Sequence, residues 1–340
     1  YQAFYNCTNL SQVTLSKNVK TMGTRAFGNC TSLTAIEIPK SLTDSGGPFE
    51  DCSNLRNVTF EKGVTEITNR LFWHCNGIEE VTIPDTVTVI EYAAFYNCSK
   101  LSRVGIPNSV TEIGSEAFQN CAKLTEVNIP DSVTEIEYQA FYNCINLSQV
   151  TLSKSVKTMD TRAFGNCISL TAIEIPKSLT DSGGPFEDCS NLRNVTFEKG
   201  VTEITNRLFW HCNGIEEVTI PDTVTVIEYA AFYNCSKLSR VGIPNSVTEI
   251  GSEAFENCAK LTEVNIPDSV TEIEYQAFYN CTNLSQVTLS KNVKTMGTRA
   301  FGNCTSLTAI EIPKSLTDSG GPFEDCSNLR NVTFEKGVTE

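Results

Sequence analysis

The sequence predicts a solenoid of about 15 stacked rungs, most of them 23 residues long and a few 22. Three observations carry this expectation. Cysteine recurs at Cys7, Cys30, Cys52, Cys75, Cys98 and Cys121, and the series restarts at Cys144 and runs to Cys326. A phenylalanine stands three residues before every one of those cysteines, from Phe4 to Phe323. Between successive cysteines the same apolar pattern returns. A constant step of this size means that each rung buries its apolar side only against its neighbours.

One rung, Cys98 to Phe118, shows how each element arises. Its apolar residues are Leu101, Val104, Ile106, Val110, Ile113, Ala117 and Phe118. Val104–Gly105–Ile106 alternates with a period of two, the spacing of a strand. Pro107 ends the pairing, because proline has no N–H to give a ladder. A turn at Asn108–Ser109 leads to a second short extended piece at Val110 and Ile113. Ser115–Cys121 is too short for a stable helix and is expected to form one helical or 3₁₀ turn. Phe118 and Cys121 then point inward, so stacking builds a phenylalanine spine beside a thiol ladder.

A second period lies above the first. Residues 1–137 and 138–274 differ at Thr8/Ile145, Asn18/Ser155, Gly23/Asp160, Thr31/Ile168 and Gln119/Glu256, and residues 275–340 repeat residues 1–66 unchanged. The expected organisation is one continuous solenoid over 1–340, made of cassettes 1–137 and 138–274 and a partial cassette 275–340. At one strand spacing per rung it would be roughly 70 Å long. The chain opens and closes inside a rung, with no initiator Met, signal peptide or long apolar span. It therefore reads as an internal piece of a longer protein, and its uncapped ends would lend themselves to end-to-end self-association.

The rung pattern L-xx-V-x-I-P-xx-V-xx-I-xxx-A-F-xx-C resembles the BspA-like subclass of leucine-rich repeats, over essentially all 340 residues. The resemblance implies a right-handed leucine-rich-repeat solenoid, an α/β-type horseshoe rich in β with short helical or 3₁₀ turns and its sheet on the concave side. It also implies an extracellular or cell-surface location, since the subclass occurs in surface proteins of anaerobic bacteria and trichomonads, several of them linked to adhesion. It carries no catalytic or ligand residue across to this chain.

One rung departs from the pattern. Lys40–Cys52 is a residue short, lacks the second isoleucine, and has Gly46–Gly47–Pro48 where the alanine step belongs. The segment returns with Gly183, Gly184 and Pro185. Either it is an irregular loop that sets the bend of the solenoid, or it is a recurring loop that meets a partner.

The chemistry of catalysis is absent from the pattern. Fifteen cysteines, one inward thiol per rung, argue for free buried thiols, because neighbouring parallel Cβ vectors suit a disulfide poorly. His74 and His211 are the only histidines, each in a single FWHC segment. A zinc site needs about four converging ligands, and a Ser-His-Asp site needs a recessed pocket. No metal, cofactor or enzymatic activity is expected. Trp73 and Trp210 stand beside the spine, either packed in the core or exposed at an edge. Asn57–Val58–Thr59, Asn6–Cys7–Thr8 and Asn97–Cys98–Ser99 match the glycosylation triplet. The Asn before Cys recurs as part of the repeat, however, and is expected to close the turn with its side chain.

Charge narrows the partners. The net charge of −14 argues against nucleic acid and anionic membrane surfaces. Residues 1–66 hold six basic and six acidic side chains, and residues 67–137 hold four and ten, so neutral and acidic bands should alternate. Strand alternation names the outward residues of the concave face as Gln12, Thr14, Glu37, Asn57, Thr59, Glu80, Thr82, Arg103, Glu126, Asn128 and, one cassette on, Arg240. The expected function is a non-catalytic surface module that binds a host or microbial protein or glycan through this face. The alternative is a structural spacer that projects another domain from the cell.

Overall fold

The structure is a computed structural model and describes residues 1–338. It comprises two compact units, Tyr1–Leu170 and Thr171–Glu340. Each unit is a parallel β-solenoid, and together they hold about 14 turns.

Two kinds of strand build the first unit. The longer kind pairs in twos: Ala35–Ile38 with Asn57–Phe60, Glu80–Thr82 with Arg103–Gly105, and Glu126–Asn128 with Gln149–Thr151. Where Glu61 replaces the usual proline, its N–H donates to Ile38 O at 2.8 Å and carries the pairing to four residues. The shorter kind is two residues long. Glu66–Ile67, Val89–Ile90, Glu112–Ile113, Glu135–Ile136 and Thr158–Met159 form one parallel sheet, with the isoleucines in register and buried. The second unit repeats both kinds. Its pairs include Glu217–Thr219 with Arg240–Gly242, and its short-strand sheet runs from Glu203–Ile204 to Asp318–Ser319.

The third side of each rung corrects the sequence reading. Among the described residues there is no helix, so neither the helical or 3₁₀ turn at Ser115–Cys121 nor the α/β horseshoe is formed. The reason is how the backbone donors are shared. Ala94, Tyr96 and Cys98 donate N–H three residues back, to Glu91, Ala93 and Phe95. Ala93, Phe95 and Asn97 donate instead to Ser115, Ala117 and Gln119 of the following rung. Every second N–H thus leaves its own turn. Glu116 and Asn120 sit in the left-handed region, at φ 58° and 61°, which stops a right-handed helix from propagating. On the short-strand side the bonds run the other way, as in Glu91 N–H to Ile67 O and Gly114 N–H to Ile90 O.

The phenylalanine spine forms as expected. Phe95, Phe118, Phe141 and Phe164 stack nearly parallel, with centroids 5.0–5.2 Å apart. The spacing widens to 6.3 Å between Phe49 and Phe72, next to the short rung, where Phe60 meets Phe72 edge-on. The cysteines are free thiols, buried in every rung except at Cys7. The buried thiols donate to the carbonyl of the phenylalanine one rung back, as Cys98 Sγ does to Phe72 O at 3.2 Å and Cys144 Sγ to Phe118 O at 3.2 Å. Burial pushes the Cys52 and Cys144 thiols up to about 12. In the native chain a thiol reagent at pH 8 should label the exposed Cys7, then Cys326, whose thiol is lowered by its hydrogen bond with Cys304, and the other thirteen cysteines only after denaturation. Rapid labelling of a third native thiol would contradict this packing.

Where an asparagine precedes the cysteine it adopts positive φ, and in several rungs its side chain bonds to the rung beside it rather than closing its own turn, as in Asn143 Nδ2 to Asn120 Oδ1 and Asn166 Nδ2 to Asn143 Oδ1, both 2.7 Å. In the irregular rung Ser45 takes the place of the missing isoleucine. Its hydroxyl bonds to Thr68 Oγ1 at 2.7 Å and donates to Asn69 O at 2.8 Å.

Candidate functional site

The predicted outward residues are exposed, all of them on the long strands except Gln12 and Thr14, which precede the first strand. Glu37 lies in register with Thr59, Glu80 with Arg103, and Thr82 with Gly105. Gln12, Thr14, Glu37, Asn57 and Thr59 line one shallow depression of about 600 Å³. Glu126 and Asn128 pair with Gln149 and Thr151. In the second unit Arg240 faces Glu217, 3.8 Å away, with both side chains exposed. A Cβ added at Gly105 or Gly242 would meet nothing within 4 Å, so this face is open as well as polar. The irregular loop is different. Gly47, Pro48, Gly184 and Pro185 are buried and Gly46 and Gly183 half-buried, so the loop offers a floor rather than a protrusion.

The turn side carries a cluster that the sequence reading missed. Trp73 is half-buried and stacks on Tyr96 with centroids 4.4 Å apart, outside the core. The Arg70 guanidinium lies 4.6 Å from the Trp73 ring and 5.1 Å from the Tyr92 ring. His74 stacks on Tyr96, and its Nδ1 lies 3.2 Å from Asp51 Oδ1. The Tyr92 hydroxyl donates to Glu116. The second unit repeats the set with Arg207, Trp210, His211, Tyr229 and Tyr233. Its signal was present in the sequence as columns, since residues 23 apart in this repeat become neighbours.

The same columns gather acids. Glu187, Asp188 and His211 offer three ligand atoms within 4.8 Å of one another. In the first unit the equivalent Glu50 is held by Arg25, whose Nε and Nη2 donate to its two oxygens at 2.8 and 2.6 Å. Glu256 is buried, and desolvation together with Glu253 pushes its carboxyl up to about 7. The first-unit residue at that position, Gln119, leaves its Oε1 buried without a partner among the described residues.

A family model described as "BspA type leucine rich repeat region" matches residues 1–102, 89–216, 183–284 and 248–340. The chain belongs to this family of leucine-rich-repeat proteins, which are typically non-catalytic. Among solved structures it is similar to a leucine-rich repeat protein from Bacteroides ovatus, with 30% identity, a TM-score of 0.72, and coverage of 92% of this chain and 76% of that one. It is also similar to a leucine-rich repeat protein from Eubacterium ventriosum (26% identity, TM-score 0.51, 80% and 83% coverage). A third is the pneumococcal vaccine antigen PcpA (20% identity, TM-score 0.51, 94% and 75% coverage), a likeness of fold. Among the curated proteins none matches the chain. No helix of the described residues is long and apolar enough to cross a membrane.

Proposed function

We propose that the chain is a non-catalytic interaction module of a cell-surface protein, which binds a host or microbial protein or glycan through the exposed face of its long strands. The observation that carries this is repetition. The same open, polar set, with Glu80 beside Arg103, returns in the second unit as Glu217 beside Arg240. A surface presented twice favours a partner that itself repeats, because the second contact then forms at high effective concentration. Family membership supports an interaction role and a surface location. The alternative, a spacer, is favoured by the absence of aromatic anchors among these outward residues, since binding hot spots favour Trp, Tyr and Arg.

The experiment is to measure the full chain against arrays of matrix proteins and surface glycans at low and high ligand density, beside an Arg103→Ala/Arg240→Ala variant. Under the binding reading, at least one ligand gains affinity about tenfold or more with density, and the variant loses that gain. No density-dependent ligand, or one indifferent to the variant, favours the spacer.

A further inference from the structure

We propose that Arg70, and Arg207 in the second unit, anchors a site on the turn side for a carboxylate side chain of a protein partner. The site lies apart from the long-strand face and goes beyond the role proposed for it.

The chain contains its own comparison. Arg25, Arg70, Arg207 and Arg299 occupy the same place in their rungs, two residues before a spine phenylalanine, all with φ between 52° and 57°. Arg25 is neutralised by Glu50, and Arg299 by Glu324, whose oxygens accept from its Nε and Nη2 at 2.9 and 2.7 Å. Both glutamates stand 25 residues after their arginine. For Arg70 the residue 26 positions on, next after the following spine phenylalanine, is Tyr96; for Arg207 it is Tyr233. Neither Arg70 nor Arg207 has a carboxylate within ion-pair reach among the described residues. The charge that the repeat elsewhere cancels is left open here, and both arginines are exposed.

What surrounds Arg70 is recognition geometry. Its guanidinium lies over Trp73 and Tyr92, and Trp73 rests on Tyr96. Stacking against rings fixes the plane of a guanidinium and leaves its N–H edges for a flat, two-oxygen acceptor. Gly47, at φ 76°, lies beside Arg70 in the preceding rung; a Cβ there would already approach Arg70 Cβ to 3.4 Å. The glycine thus adds no side chain of its own beside the arginine, and the neighbouring Glu50 is already held by Arg25. Asp51 and Glu116 supply an acidic rim, held against His74 and Tyr92. A cationic centre with an acidic rim fits a carboxylate flanked by cations. Arg70 and Tyr96 both stack on Trp73, so its ring is already engaged, and a peptide acid is a better fit than a stacked sugar.

Both tryptophans of the chain lie in these sites, so intrinsic fluorescence reads them directly. The probe is a blocked pentapeptide, Lys-Lys-Glu-Lys-Lys, titrated beside its Lys-Lys-Gln-Lys-Lys counterpart and an oligogalacturonate. The expected result is a saturable change with the glutamate peptide, about fivefold or more tighter than with the glutamine peptide. In Arg70→Gln/Arg207→Gln the two peptides become indistinguishable. Tyr96→Glu/Tyr233→Glu keeps the arginines but supplies the partner that Glu50 gives Arg25, and it should erase the preference too. Circular dichroism melts check that each variant folds. Equal titration of the two peptides by the parent, a preference that survives both double variants, or tighter binding of the oligogalacturonate would overturn the proposal.

Discussion

Phe118→Ala should destabilise the first unit by about 3–5 kcal/mol, the cost of an emptied aromatic site in a packed interior. Phe118 is fully buried, with Phe95 5.2 Å and Phe141 5.1 Å from its ring centroid and both rings within 8° of parallel. The cavity cannot be closed by sliding a neighbour inward. Each flanking rung is pinned on the turn side by Phe95 N–H to Ala117 O and Phe118 N–H to Ala140 O, both 2.7 Å. Phe4, 48% exposed, is the control, and Phe4→Ala should cost far less. Because contacts in a stack are between nearest neighbours, the damage should stay local. Hydrogen exchange should show lost protection in the rungs holding Phe95, Phe118 and Phe141, with little change at Phe255. A variant that melts and exchanges like the parent would show that the spine is not what holds the rungs.

Glu256→Gln should stabilise the second unit by about 2 kcal/mol at pH 8 and by almost nothing at pH 4.5. The gain at pH 8 is less than the full shift would give, because the carboxylate is partly solvated and the amide leaves an oxygen unpaired as Gln119 does. Burial and the nearby Glu253 raise the Glu256 carboxyl from near 4.5 to about 7, against a smaller opposing hydrogen bond from Asn257. An acid whose folded value is raised binds its proton more tightly in the native state. The native state therefore bears the full penalty above pH 7, and the penalty fades as pH falls from 7 to 4.5. Glu228 and Glu249 are also raised, chiefly by burial, so the parent keeps some of the slope. The informative quantity is the difference between parent and variant in denaturant melts across pH 4.5 to 8. A difference that does not change with pH would remove the buried charge from the account.

Much of the fold was legible because its causes are periodic. Phe118, Cys121, Val110 and Ile113 each fill a place that the regular rungs repeat, and each is buried as the 23-residue step requires. The outward set on the long strands followed from alternation alone. The turn segment was misread because Ser115–Cys121 has the composition of a short helical turn. What decides its shape is the following rung, whose Tyr138, Ala140 and Tyr142 carbonyls take the N–H groups of Glu116, Phe118 and Asn120. Trp73 was left between core and edge for a similar reason. Its partner Tyr96, and the Tyr92 that shares Arg70 with it, come close only once two rungs are stacked. The carboxyl of Glu256 gave no warning, since one Gln-to-Glu change has no period to reveal it.

The one-way traffic of hydrogen bonds on the turn side gives the stack a polarity. There, rung after rung sends N–H groups toward the C-terminal neighbour, as Ala93, Phe95 and Asn97 do, and offers carbonyls toward the N-terminal one. On the turn side one exposed end of such a stack presents donors and the other acceptors, and the short-strand side, whose bonds run the other way, presents the reverse. Two like ends that brought turn side onto turn side would set donor against donor or acceptor against acceptor. Unlike ends match, and that contact repeats without closing, which is the heterologous geometry of a filament rather than a dimer.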